Sequence, residues 1–366
     1  MTTSERDYER IRDALIRKIK DATLDMDTVT MPDFILDHAL AYNRAASILT
    51  RRILKVALTG GGEITDVPQS LEIGGNAAIT TLCLATMGAR VHPIIRTNML
   101  GLSLLKHFCQ HLSVDLSHVK TNGRLMPTVI MELKRSRGIV KVMVGDMSNA
   151  PELSYTDLDL NDLQAIDTAD YVCVFNWLYN KKGTELAEGV FSRCRDKSKA
   201  YTYFDPADPR PRRNELGDLV PRVLKRDELD AIGVNENEAL TFARIFEKAK
   251  GRKIGPLKAG KIISAHTGIT VYLHTTNYSS SIKEEETIIV PSFRVQMRRG
   301  TGAGDSWNAG LIAGDSLRLS EDEKLLFANA VAANYISNPQ RVHSRLGDLP
   351  SFLENAELRP RRQKVR

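Results

Sequence analysis

The chain has 366 residues, 42% of them hydrophobic and 26% charged, with a formal net charge of +6. That is enough apolar material for a large core and too balanced a charge for a disordered chain. No apolar run reaches the roughly 18 residues that a membrane span needs, and the opening "MTTSERDYERIRDALIRKIKD" carries charge where a signal peptide needs an apolar stretch, so a cytoplasmic protein without a membrane partner is expected.

Residues 6 to 22 form an amphipathic pattern, with Tyr8, Ile11, Leu15 and Ile19 on one stripe, and predict a helix packed ahead of the main fold. "ILKVAL" at 53–58 reads as the first strand. "NAAITTLCLATMG" at 76–88 reads as a helix stopped by Gly88, "VHPII" at 91–95 as a strand and "MLGLSLLKHFCQHL" as a helix. "TVIMELK" at 128–134 and "IVKVMV" at 139–144, separated by "SRG", read as a hairpin. From Asp170 the alternation is regular: strand "YVCVFNW", helix from Thr184, strand "AYTYFD", helix from Asn214, strand "LDAIGV", helix from Glu236. Strands "KIISA" and "ITVYLH" and two helices ending near Ser337 complete it.

Short strand–helix units of this kind predict an α/β fold: a mostly parallel sheet covered by helices on both faces, with its ligand site at the carboxyl ends of the strands. The β-rich pieces at 53–73 and 127–144 fall outside the alternation and predict a small lid over that edge. The expected organisation is a helical extension at 1–24, one domain at 25–355 and a basic tail at 356–366. The tail "RPRRQKVR" reads as solvated and not as a nucleic-acid module, because aromatic residues are only 6% of the chain. Cys83, Cys109, Cys173 and Cys194 have no metal or redox spacing and read as buried free thiols. His107 and His111 stand four apart on a predicted helix, without the glutamate that would make a metal motif; a surface pair is expected.

The stretch "RRGTGAGDSWNAG" at 298–310 puts Gly302, Ala303 and Gly304 ahead of Asp305 and an apolar helix. Backbone N–H groups freed by the glycines, together with the helix dipole, make an anion site. A carboxylate beside such a site can take the proton of a hydroxyl that attacks a bound phosphoryl group, the chemistry of phosphoryl transfer to an alcohol. The same aspartate is equally suited to capping the helix. "GPLKAGKI" at 255–262 lacks the Ser or Thr of a phosphate-binding loop and reads as a surface turn.

These residues resemble the PfkB (ribokinase-like) carbohydrate kinases. "RGTGAGDSWNAG" is similar to the family's C-terminal signature, "EIGGNAAITTLCLATMGARV" at 72–91 to its N-terminal one, and "NENEA" at 235–239 to its N-x-x-E segment, in the family's order over about residues 25–345. The resemblance implies a magnesium-dependent phosphotransferase acting on a sugar, sugar phosphate or nucleoside. Asp305 is then the general base, and Gly302, Ala303 and Gly304 the anion hole, next to Thr301. Asn235 and Glu238 organise the magnesium-bound phosphates, Glu238 through water, and Asp205 of "FDPADP" faces them. Gly74, Gly75 and Asn76 contact the acceptor's hydroxyls together with Asp37 or Asp33, Asp37 being favoured by spacing. Arg96, or a lid residue such as Lys134, would hold an acceptor phosphate.

"SAHTGI" at 264–269 occupies the place of the family's nucleotide-side glycine motif, making Thr267 and Gly268 nucleotide contacts; its His-Thr resembles the ADP-dependent branch, so ATP and ADP both stand as donors. Asn98 replaces a common acid. Dimerisation through lid strands is expected, and a non-catalytic nucleotide- or sugar-binding regulator is the rival reading.

Overall fold

The computed structural model describes residues 5–135, 138–146, 152–224, 227–246, 254–298, 301–340 and 342–359. The basic tail beyond Arg359 and the "SR" of the hairpin turn lie outside them.

In chain order, α1 (Glu5–Ile19) is followed by β1 (Asp27–Met31), β2 (Ile35–Ala45), α2 (Ala46–Leu58), β3 (Gln69–Gly74), α3 (Asn76–Met87), β4 (Arg90–Pro93) and α4 (Met99–Phe108). Next come β5 (Met126–Arg135), β6 (Gly138–Gly145), α5 (Leu160–Thr168), β7 (Tyr171–Phe175), α6 (Gly183–Lys197), β8 (Tyr201–Asp205) and α7 (Leu216–Leu219). Then follow β9 (Ala231–Asn235), α8 (Glu236–Phe246), α9 (Pro256–Thr267), β10 (Thr270–His274), β11 (Tyr278–Lys283) and β12 (Glu286–Pro291). The chain closes with β13 (Phe293–Arg294), α10 (Ala303–Ser316), α11 (Glu321–Ser337), α12 (Leu349–Asn355) and β14 (Glu357–Leu358).

The main sheet has eight strands in the order β12-β11-β10-β9-β8-β7-β1-β4. From β10 to β4 all pairings are parallel; β11 and β12 are antiparallel additions. Alternating strand residues feed two cores, as strands buried on both faces must. Cys173, Phe175, Tyr203 and Tyr272 pack with α1, α3, α10 and α11. Val172, Val174, Phe204, Ile232, Val234 and Val271 pack with α5, α6, α8 and α9. The predicted N-terminal helix joins the first core through Leu15 and Ile19, and the Tyr8 hydroxyl donates to the Ile289 carbonyl at 3.1 Å. The four cysteines are free and buried. No helix among the described residues is long and apolar enough to cross a membrane.

A second sheet, β3-β2-β5-β6, stands over the carboxyl edge. Its β5–β6 hairpin is the predicted one. Its other half differs from expectation: "ILKVAL" lies in helix α2, no residue of which is buried, and the strands are β2 and β3. "KIISA" is also helical, inside α9, and "GPLKAGKI" opens that helix with Gly255 at the cap and Pro256 in the first turn, where a missing N–H costs nothing. Both errors concern short apolar runs, whose periodicity does not separate strand from helix.

Candidate active site

The carboxyl ends of the parallel strands and the start of α10 meet under the lid. Gly302 occupies the cap position of α10 with φ 76°, a conformation that a side chain disfavours, and an added Cβ would lie 2.9 Å from the ring of buried Tyr335. The first intrahelical bond is Ser306 N to Gly302 O at 3.0 Å, so the N–H groups of Ala303, Gly304 and Asp305 have no backbone partner within the helix. These N–H groups stand at the positive end of a 14-residue helix, where an anion is favoured. Asp305 stands inside the first turn, where its carboxylate accepts from its own backbone N–H, and Gly302 fills the cap position.

Asp305 is buried, and its pKa is raised well above the ordinary carboxylate range, first by desolvation and then by the charges of Asp205, Asp33 and Asp37. Asp205, at the end of β8, is also buried and raised by desolvation; its carboxylate accepts from Asn308 Nδ2 at 2.6 Å and Ala207 N at 2.9 Å. Glu238 is raised by desolvation and by the neighbouring charge of Asp205. It accepts from the backbone N of Asn235 at 2.8 Å and from its Nδ2 at 2.5 Å, while Asn235 Oδ1 accepts from Glu238 N at 3.1 Å. "NENE" is thus a reciprocal helix cap that also presents a buried carboxylate to Asp205.

On the opposite side, Asp33 is fully buried and accepts from Asn76 N and Ala77 N, both at 3.1 Å, and from Asn176 Nδ2 at 2.6 Å. It holds the start of α3, whose cap is Gly75 at φ 89° with an added Cβ 2.8 Å from Asp33 Oδ2. Asp37, on β2, lies against Gly74, where an added Cβ would come within 2.5 Å of its carboxyl carbon.

Desolvation, partly offset by these hydrogen bonds, raises the Asp33 pKa to about 6. The folded state then keeps a proton that the unfolded chain has released, so stability falls as pH rises from about 4 to about 6. Urea denaturation of wild type should lose about 2 kcal/mol between pH 4.5 and 7 beyond any change in Asp33→Asn. Parallel curves for the two proteins would rule this out.

Thr267, Gly268, Arg96 and Lys134 stand outside this arrangement. Thr267 and Gly268 end α9 and begin the turn into β10, at the amino end of a strand whose other end, His274, pairs with Asn235. They lie at the sheet edge opposite the site and are not nucleotide contacts there. The strand instead delivers the turn 275–277, which has no glycine. Arg96 is committed: its Nη1 lies 3.2 Å from the Glu152 carbonyl and 3.3 Å from Asp157 Oδ1. Lys134 is exposed near the end of β5.

Three residues went unnoticed in the sequence. Asn176 follows β7 at φ 50°, a region asparagine tolerates better than most residues, and its Oδ1 is buried without a hydrogen-bond partner. His274 packs on Trp307 with ring centroids 5.0 Å apart, and desolvation lowers its pKa to about 4, so a neutral imidazole faces Gly304. Lys141 of the lid donates to Thr301 Oγ1 at 3.5 Å and pairs with Glu132 at 3.2 Å, tying the lid to the anion loop.

The family model described as pfkB family carbohydrate kinase matches residues 64–344. The protein belongs to the pfkB family of carbohydrate kinases. No curated protein matches the chain of this kinase. Among solved structures it is similar to an E. coli putative ribokinase II in complex with ATP and Mg2+ (TM-score 0.68, 17% identity, covering 91% of this chain and 99% of that one). It is also similar to an Arabidopsis thaliana ribokinase with ribose and ATP (0.66, 15%, 91% and 99%). An adenosine kinase from Sinorhizobium meliloti gives 0.64, 16%, 89% and 98%. At these identities the likeness establishes the ribokinase-like fold of the kinase and not its substrate.

Proposed function

We propose that this kinase transfers the terminal phosphoryl group of ATP to a hydroxyl of a neutral sugar or nucleoside, with Asp305 as the general base. The observation that carries the reading is Asp305 itself, a buried carboxylate of raised pKa in the same turn as the N–H groups of Ala303 and Gly304, which have no partner within the helix. A raised pKa brings the base nearer to the operating pH, and the N–H groups stabilise charge as it develops on the transferring group.

Asn235, Glu238 and Asp205 fit Mg2+: oxygen donors that include two buried carboxylates of raised pKa, Glu238 raised partly by the charge of Asp205, are a set that a hard divalent cation relieves. An ion held there with the nucleotide would neutralise phosphate charge, and Glu238 would hold it through water. Asp33 orients α3 and Asn176, while Asp37, Gly74, Gly75, Asn76 and the open Oδ1 of Asn176 receive the acceptor's hydroxyls. Lys141 and Thr301 close the lid over the anion hole and exclude water.

The engagement of Arg96 with Asp157 favours a neutral acceptor over a sugar phosphate. The position of Thr267 removes the sequence hint toward ADP, and two of the similar structures hold ATP. Self-association is assigned to the lid, where Val142, Met143 and Val144 are exposed on the outer strand β6.

The test crosses ATP and ADP against ribose, fructose, nucleosides and their phosphates, reading nucleotide consumption that depends on acceptor. Turnover with ATP and a neutral acceptor is expected. Turnover confined to sugar phosphates, or to ADP, would overturn that part of the assignment. Within the panel, Asn176→Ala should raise the acceptor KM about tenfold, the cost of one buried hydrogen bond, and leave the ATP KM unchanged.

A further inference from the structure

Away from this site, His92, Asp115 and His118 bring three ligand atoms within 4.8 Å of one another. His92 is on β4, while Asp115 and His118 bracket the helical turn that follows α4. His92 Nδ1 lies 3.7 Å from Asp115 Oδ2, and His118 Nε2 lies 3.6 Å from the same oxygen.

The far nitrogen of each imidazole is engaged by a further carboxylate. His92 Nε2 is 3.2 Å from Asp27 Oδ1, and His118 Nδ1 is 3.1 Å from Asp162 Oδ1. Asn161 Nδ2 also approaches His118 Nδ1, at 3.4 Å. Those outer carboxylates are fixed in turn, Asp27 by Arg90 and Asp162 by Lys120 and by the N–H of Asp159. Asp115 Oδ1 accepts from Ser117 N at 2.9 Å, which leaves Oδ2 for the histidines.

The outer carboxylates favour one tautomer of each ring. With each outer N–H donated to a carboxylate, His92 Nδ1 and His118 Nε2 carry lone pairs, and both are turned toward a carboxylate oxygen. Three acceptors then converge; His92 Nδ1 is buried and has no hydrogen-bond partner. A cation is what such a point lacks.

Ligand atoms about 2.0–2.2 Å from a tetrahedral ion stand roughly 3.3–3.5 Å apart, so the two distances to Asp115 Oδ2, 3.7 and 3.6 Å, need to contract by only a few tenths of an ångström, while the two imidazole nitrogens lie within 4.8 Å of each other. Two imidazoles, one carboxylate and an outer carboxylate on each imidazole suit Zn2+ better than Mg2+ or Ca2+, which take oxygen ligands.

We propose that His92 Nδ1, His118 Nε2 and Asp115 Oδ2 bind one Zn2+ per chain, with water in the fourth position. The ion clips edge strand β4, through Asp115 and His118, to the start of α5. His92 pairs with Val29 near the middle of β1, and Asp27 begins that strand, so the clip lies toward the half of the sheet away from Asp305. It is separate from the phosphoryl-transfer site and does not rest on that reading.

The test uses the full chain, stripped with chelator and titrated with Zn2+ and, as a spectroscopic probe, Co2+ in excess Mg2+. Expected are one tightly held Zn2+, visible Co2+ bands of tetrahedral intensity, and a rise in melting temperature on metal addition. His92→Gln, at a part-exposed position, should abolish the bands and keep kinase activity. Asp162→Asn should weaken binding about 10–100-fold by releasing the His118 ring. Absence of the Co2+ bands, or bands of equal strength in wild type and His92→Gln, overturns the assignment. Should His118→Gln fail to fold, His92→Gln and Asp115→Asn decide it alone.

Discussion

Asp305→Asn should lower kcat about 10²–10⁴-fold while nucleotide affinity, measured by calorimetry, stays close to wild type. The amide has nearly the shape of the carboxylate and leaves the first turn of α10 intact, so the N–H groups of Ala303 and Gly304 remain in place. What it cannot do is accept the acceptor's proton. The pH profile separates this role from a structural one. A base works when deprotonated, so kcat/KM of wild type should rise with pH through the Asp305 pKa, which lies well above the ordinary carboxylate range. That acidic limb should vanish in Asp305→Asn. A variant retaining both its rate and the limb would show that the proton goes elsewhere.

Gly302→Val should be nearly as damaging for a different reason. The backbone there has φ 76°, and the ring of Tyr335 would stand 2.9 Å from the new Cβ. Tyr335 cannot retreat, being 1% exposed and stacked on His343 at 4.1 Å. The left-handed conformation alone costs a β-branched residue about 1–2 kcal/mol. The turn must therefore shift and carry its N–H groups with it. Losing oxyanion-type donors costs roughly 10²–10³ in kcat. The acceptor KM should change little, because Asp37 and Gly74 are held by other elements. Unchanged kcat in a folded Gly302→Val protein would remove the anion hole from the mechanism.

Much of this was legible in the sequence where local rules and tertiary structure agree. Gly88 ends α3 in the left-handed conformation, as its position after an apolar helix implies, and strands β7 to β9 follow the alternation directly. The motif around Asp305 was legible because glycine, acid and helix start are contiguous. Strand β2 was not. Its inward positions are Ile35, Asp37 and Ala39, so the acid proposed to receive the acceptor also interrupts the strand's apolar pattern. Asn176 and Lys141 carry no local signature, because their partners Asp33 and Thr301 are brought to them only by the fold. The His107–His111 pair shows the converse. Helix α4 ends at Phe108 and His111 has φ 65°, so the two do not share a helical face. The histidines that do converge, His92 and His118, are far apart for any spacing rule.

The buried acids at the strand ends have a consequence for how this protein can change. Asp33, Asp205, Glu238 and Asp305 are each held away from their preferred ionisation by loss of water, and Glu238 and Asp305 also by the charge of Asp205. On the proposed mechanism, cations and donors that bind these acids would offset that cost. Selection for a higher melting point alone would therefore find gains by neutralising these four positions, and, on the proposed mechanism, each gain would remove part of the activity. Robust variants with the reaction intact have to be sought far from the strand ends, on surfaces such as α2, where no side chain is buried and none answers to the chemistry.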